Sequence, residues 1–420
     1  MSEWVEKPLS QLAKFQKGRK VKTSGYPQAG YDAYLGASSL EEGNVEGYAL
    51  TDTAVMAEPN DVMMLWDGER SGLVGHNLRG VVSSTVQKLT PSKEITGTFL
   101  YYHLLFRFDW IQGRRTGTGI PHVPKDLARI LNVKYPLNII EQESITSVLS
   151  SIDTAIEKTE SLIAKYQQIK AGMMHDLFTR GVSDDGKLRP PREQAPELYQ
   201  ETPIGWIPKE WDCKPLEELL APVGNNLRSG PFGSALLKHE LVEDGIPFLG
   251  IDNIHAEHFE AAFRRFVSLK KFMELNRYSV RPKDVVITIM GTVGRCCVLP
   301  DNIDEALSSK HLWTMTFDQS QVIPELVCWQ LNFAPWVLSR FKRASQGAVM
   351  DSIQSSTLRS LKLPVPPDTE QKEIFKKYSV CNSKIKTEQQ ALAKLRKEKL
   401  GLIHDLLTGK VRVNATLKLS

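Results

Sequence analysis

Residues 141–179 read EQESITSVLSSIDTAIEKTESLIAKYQQIKAGMMHDLFT, and residues 370–408 read EQKEIFKKYSVCNSKIKTEQQALAKLRKEKLGLIHDLLT. The two stretches align at a constant offset of 229 without a gap and share 13 identities over 39 positions. Glu141-Gln142 matches Glu370-Gln371, Lys170 matches Lys399, and His175-Asp176-Leu177 matches His404-Asp405-Leu406. That is duplication rather than chance, and a repeat of this length organises the whole chain. Ile145, Leu149, Ile152, Ile156, Thr159, Ile163, Tyr166, Lys170, Met173 and Leu177 follow a strict 3-4 spacing. Ile374, Tyr378, Cys381, Ile385, Glu388, Leu392, Leu395, Lys399, Leu402 and Leu406 repeat it, with the polar interruptions at matching places. Such a seam predicts a long helix that needs a partner. The natural partner of one copy is the other, in an antiparallel coiled coil roughly 60 Å long at about 1.5 Å per residue. The alternative is that each helix caps its own domain. Gly409 supplies a left-handed stop for the second helix.

A shorter repeat lies outward from the helices. Trp4-x-x-Lys7-Pro8-Leu9-x-x-Leu12 matches Trp211-x-x-Lys214-Pro215-Leu216-x-x-Leu219 at offset 207, so the second globular segment is 22 residues longer than the first. The order is globular, helix, globular, helix, with a pseudo-twofold internal repeat. Short β-rich runs bounded by turns mark the globular parts: Asp61–Trp66, Val81–Val86, Ile246–Ile251 and Asp284–Ile289. Helical stretches at Gly97–Phe108 and Pro324–Arg343 intervene, which predicts an α+β class with two mixed domains. The boundaries are 1–136 and 204–366 for the domains, 137–180 and 367–420 for the helices with the C-terminal tail, and 181–203 for an exposed Pro-, Asp- and Gly-rich linker.

The 420 residues suit two or three folded units. With 24% charged and 41% hydrophobic residues, disorder and disulfide scaffolds are excluded. Cys213, Cys296, Cys297, Cys328 and Cys381 show no paired spacing and read as reduced thiols of a cytoplasmic protein. The N-terminus has no signal-peptide character, and no run approaches about 18 apolar residues, so no membrane is expected. There is no P-loop, H-E-x-x-H, G-x-S-x-G or C-x-x-C motif. His255-x-x-His258 and Cys296-Cys297 lack further metal ligands, and His175-Asp176 and His404-Asp405 read as structural pairs near helix ends.

The formal net charge is +4, made of +2, −3, −1 and +6 over residues 1–136, 137–200, 201–366 and 367–420. Any nucleic-acid surface must therefore be local. The first domain offers Arg19, Lys20 and Lys22 after Lys17-Gly18, Arg70 in the Asp67-Gly68 turn, and Arg114-Arg115. The second offers Arg228-Ser229-Gly230-Pro231-Phe232-Gly233, Arg295 after Gly294, Lys310-His311, and Arg343 with Gln346. Glycine lets backbone approach phosphate, Arg reads guanine bidentately, and Gln reads adenine. Each cluster alone fits a solvated loop; their corresponding placement in both halves favours DNA.

Ile204-Gly205-x-Ile207-Pro208-x-x-Trp211, Gly230-Pro231-Phe232-Gly233, Met290-Gly291-Thr292-x-Gly294, Pro364–Gln371 and Leu406-Leu407-Thr408-Gly409-Lys410-x-Arg412 resemble the specificity subunit of type I restriction-modification enzymes. The first domain departs from that pattern: it lacks the Ile-Gly-x-x-Pro lead-in. The resemblance implies two target recognition domains, each reading one half of a split double-stranded DNA site, with two conserved helices that fix the spacing and dock two methyltransferase subunits. It also implies restriction subunits in the full complex, and S-adenosylmethionine, ATP and Mg on those partners, with no cofactor and no catalysis on this chain. A structural adaptor without DNA specificity, or an enzyme with an unrecognised site, are the other readings. Sequence-selective DNA binding separates the first, and intrinsic nuclease or methyl-transfer activity of the purified chain the second.

Overall fold

The computed structural model describes residues 3–117, 119–345 and 353–413. The chain divides into two compact units, Met1–Ile163 with Thr387–Ser420, and Ala164–Lys386. Each unit therefore takes one globular segment, the start of the helix that follows it and the end of the other helix.

In the first unit, β1 (Trp4–Pro8) pairs antiparallel with β8 (Asn132–Pro136), closing the ends of the segment on each other. Inside lies an antiparallel sheet of order β2 (Ala13–Lys17), β7 (Val86–Pro91), β4 (Val62–Leu65) and β5 (Val74–His76). A second sheet contains the parallel pair β3 (Tyr31–Leu35) and β6 (Gly80–Val82). The core of Val62, Met64, Leu89, Phe99, Leu100 and Leu104 joins the first sheet to α1 (Gly97–Phe106), whose N-cap Thr96 accepts from Phe99 N–H at 3.2 Å. α2 (Ile139–Thr179) then leaves the segment.

The second unit repeats this plan. β9 (Asp212–Pro215) pairs with β16 (Lys362–Val365), and β11 (Ile246–Leu249) runs parallel to β14 (Leu307–Ser308). The four-stranded sheet has the order β10 (Leu227–Ser229), β15 (Leu312–Met315), β12 (Val285–Thr288) and β13 (Cys296–Val298). α3 (Pro324–Phe333) and α4 (Pro335–Ser345) replace the single helix expected over Pro324–Arg343. Pro335 has no N–H to continue the first helix. Likewise Val81–Val86 is not one strand, because Ser84-Thr85 turns the chain from β6 into β7, with Val86 N–H donating to Ser83 O at 3.0 Å.

α2 and α5 (Asp368–Leu407) run 41 and 40 residues and are antiparallel partners. In the first unit Lys399 Nζ lies 2.5 Å from Asp153 Oδ1, and Arg396 donates to Glu160 at 2.7 Å. In the second, Lys170 pairs with Glu257 and stands 4.9 Å from the centre of the Tyr378 ring, whose hydroxyl donates to Glu257 at 2.8 Å. The two lysines that interrupt the heptads thus have carboxylate partners, which is what a partly buried ammonium requires. All twenty heptad positions are buried or half-buried.

The short repeats converge on one node in each unit. The Trp4 indole N–H donates to Glu141 at 3.2 Å, Arg412 Nε donates to the same carboxylate at 3.0 Å, and Gly409 (φ +71°) sits against the Trp4 ring. In the second unit Trp211 donates to Glu370 at 2.8 Å, Arg189 makes two bonds to Glu370, and Gly181 (φ +68°) sits against Trp211. A Cβ on Gly181 would run into Glu370, Arg189 and Trp211, so only glycine fits there. One Trp, one Glu, one Arg and one Gly therefore tie the start of each helix to the tail of the other. The segment 181–203 is anchored at a few points: Val182, Arg189, Ala195 and Tyr199 are buried while Asp184, Asp185, Glu193 and Glu197 are exposed, and Tyr199–Thr202 forms a hairpin with Gly205–Pro208.

His103 on α1 is 2% exposed. Burial, with the nearby Arg107 charge, pushes its pKa down to about 3. The unfolded chain binds a proton below about pH 6.5 and the folded chain does not, so stability is lost as pH falls from there toward the folded value. His103→Leu should remove a slope of up to about 1.4 kcal/mol per pH unit from the unfolding free energies obtained by urea titration between pH 6.5 and 4. An unchanged slope would show that His103 is not the responsible group.

Candidate nucleic-acid interface

Three loops of the second unit are tied together. Gly230 N–H donates to Ser309 O at 3.2 Å, the Ser229 hydroxyl to Lys310 O at 3.3 Å, and Ile289 N–H to His311 O at 2.9 Å. Gly294 N–H returns to Thr288 O at 2.9 Å, closing the turn that presents Arg295. Phe232, Arg295 and Lys310 are exposed in this cluster, with His311 half-buried. Burial, then the charges of Lys310 and Arg265, holds the His311 imidazole below its ordinary pKa. It is therefore a neutral hydrogen-bonding group at pH 7 among cations.

The first unit has a matching cluster. Trp66 N–H donates to Thr85 O at 2.8 Å, Gly68 N–H to Pro121 O at 2.9 Å, and Thr116 and His122 exchange backbone bonds of 3.0 and 2.8 Å. Asp67 sits at its centre, 2.9 Å from Lys17 Nζ and 2.8 Å from His122 Nδ1. Burial alone would raise the Asp67 carboxyl, but Lys17 and His122 outweigh it and hold its pKa below the usual range. Arg19, Lys20 and Lys22 are exposed beyond Gly18, with Arg19 Nη1 3.5 Å from Thr53 O. Arg114 is exposed and stacks 3.9 Å above the Trp110 ring. Arg115 is tied to Gln112 O at 3.0 Å and to Glu69 O, and Arg70 is paired with Glu41.

Several expected contacts are framework instead. Arg228 is 5% exposed and cannot reach a base: its guanidinium pairs with Asp284 and donates to Ser279 O at 2.7 Å and Asn225 O at 3.0 Å. Ser229 and Gly230 are buried as well, and a Cβ on Gly230 would collide with Ser308 O. Gly233 (φ +57°) is an exposed turn residue. Arg343 is exposed on the last turn of α4 and donates to Ser339 O at 3.3 Å; among the described residues no hydrogen bond joins it to the three loops. Gln346 lies outside the described residues.

A third repeat, at offset 223, is too short to stand out in the sequence. Pro59-Asn60-Asp61-Val62 matches Pro282-Lys283-Asp284-Val285. Asp61 accepts from Glu58 N–H at 2.9 Å and the Thr90 hydroxyl at 2.6 Å; Asp284 accepts from Arg281 N–H at 2.7 Å and the Thr316 hydroxyl at 2.5 Å. The cation beside Asp61 is Lys88 at 3.7 Å, where Asp284 has Arg228. Gly18 repeats Gly230 too, since its Cβ would meet Ser83 O within Ser83-Ser84, as that of Gly230 meets Ser308 O within Ser308-Ser309. Arg265, paired with Asp252 near His311, was likewise missed; its only sequence signal is Arg264-Arg265.

The fold defines a class: duplicated mixed domains, each finished by the ends of two shared antiparallel helices. The family model described as type I restriction modification DNA specificity domain matches residues 1–166 and again 208–397. The chain belongs to this family, so it is a DNA-recognition chain rather than a catalytic one. It is similar to the type I restriction enzyme MjaVIII specificity subunit of Methanocaldococcus jannaschii, at 26% identity over 98% of this chain and 93% of that one. It is also similar to the type I restriction enzyme EcoBI specificity subunit of Escherichia coli, at 18% identity over 80% of this chain and 70% of that one. In fold it resembles the S subunit of the type I restriction-modification system of M. genitalium, with a TM-score of 0.61 at 17% identity over 96% of both chains. No described helix is long and apolar enough to cross a membrane.

Proposed function

We propose that this chain is the DNA sequence-reading subunit of a type I restriction-modification assembly in the cytoplasm, each unit reading one half of a bipartite site. The observation that carries it is the recurrence, in two family-matched domains with the same strand order, of a cluster of tied loops that bears exposed cations, on different loops in the two units. Residues 1–136 and 204–366 are the readers, and the two helical segments set the spacer and dock two methyltransferase subunits. Restriction subunits complete the assembly, and S-adenosylmethionine, ATP and Mg belong to those partners. Arg19, Lys20, Lys22 and Arg114 in one unit, and Arg295, Lys310 and His311 in the other, are the proposed DNA contacts.

The test is binding to a randomised duplex pool by the chain with its methyltransferase partner, at several salt concentrations. Lys310→Ala should weaken binding to all sequences and lower the salt slope by about 0.9. Arg295→Ala should cost about 1–3 kcal/mol and relax one position in one half-site. If neither variant changes affinity or sequence preference, these loops are not the readers; if the wild type shows no preference, the adaptor reading stands.

A further inference from the structure

Phe232 is 59% exposed at the tip of a loop that is built rather than loose. Gly230, before it, packs where no side chain fits, against Ser308 O, and donates to Ser309 O at 3.2 Å. After it, Gly233 takes φ +57°, and Ala235 N–H returns to Phe232 O at 3.2 Å. A phenyl ring left to itself folds onto the nearest apolar surface; these constraints hold the backbone that carries it outward. The neighbouring loop carries exposed Lys310 and half-buried His311.

We infer that Phe232 is a wedge that inserts between stacked bases of the half-site read by the second unit. Apolar side chains beside cations are how proteins unstack and kink a duplex: the cations hold the phosphates while the ring replaces a stacking partner. A ring anchoring a protein partner would instead need an apolar surround. The flanking loop offers Lys310 and His311, which suit phosphate and sugar oxygens. The first unit has Lys20 at the corresponding place after Gly18, so the wedge belongs to one half-site only. Specificity would then come partly from how easily the entered step unstacks, favouring a flexible pyrimidine–purine step.

This inference rests on the proposed reading function, and the test separates the two. The full chain with its methyltransferase partner, without S-adenosylmethionine, is bound to duplexes carrying the site found by the pool selection. 2-Aminopurine is placed at each position of the half-site in turn, away from the methylated adenine. Wild type should raise emission at one step. Phe232→Ala should abolish that rise and weaken binding about 10- to 100-fold, while Phe232→Leu keeps much of it and neither changes the melting temperature. Unchanged emission with Phe232→Ala overturns the wedge while leaving the reader intact, and so does a loss of methyltransferase assembly with DNA unstacking preserved, which would make Phe232 a protein contact. Absence of any site in the selection overturns the reading function itself.

Discussion

Asp284→Asn is expected to cost the second unit about 3–5 kcal/mol, because it leaves the Arg228 guanidinium buried without its counter-ion. Both partners are nearly inaccessible, with side-chain exposures of 4% for Arg228 and 0% for Asp284. Burial pushes the Asp284 carboxyl up and the Arg228 guanidinium down, so the pair survives only through its geometry. Asp284 also accepts from Thr316 and the Arg281 backbone, and those bonds weaken with the charge. A domain stable by about 5–15 kcal/mol has little reserve against such a loss. Urea unfolding should therefore show an early transition in the second unit, with Arg228→Ala having a similar effect. Asp61→Asn in the first unit should cost less, about 1–3 kcal/mol, since the Lys88 ammonium is farther away. A stable Arg228→Ala variant that loses DNA affinity would restore Arg228 to the reading surface.

Lengthening both helices together should change the spacer and nothing else. Three heptads added to each, within 150–160 and at the matching place in α5, preserve the seam and add about 31 Å of helix. That is close to one turn of B-DNA, about 34 Å, so the DNA face presented to each reader is nearly kept. The expected product is a chain that recognises the same two half-sites with a spacer longer by about 9–10 base pairs. Affinity for the original spacer should fall by the whole gain of joining two sites, about 100-fold or more. Retention of the original spacer would mean the helices do not act as the ruler.

The helices were the most legible part, because a heptad seam repeats along 40 residues and the duplication checks each position twice. Ile145, Leu149, Ile374 and Leu406 are buried as the spacing requires. Trp4 and Trp211 were visible as a repeat, but their partners Glu141 and Glu370 lie 137 and 159 residues away, beyond any local pattern. Arg228 misled for a related reason: next to Gly230 it has the composition of a phosphate loop, while Asp284, which claims it, is 56 residues further on. Composition marks the polar residues a site could use; only the fold decides which of them face inward. The proposed reading loops follow no periodicity, which is why His122 and Arg265 gave little signal.

Sequencing of DNA methylation in a host carrying this chain with its methyltransferase partner reads out directly whether each unit recognises its own half-site. The expected result is one interrupted motif, two defined half-sites around an unspecified spacer, of which only one half changes when residues 204–366 are exchanged for those of a relative. A continuous motif, or an exchange that alters both halves or neither, would contradict it.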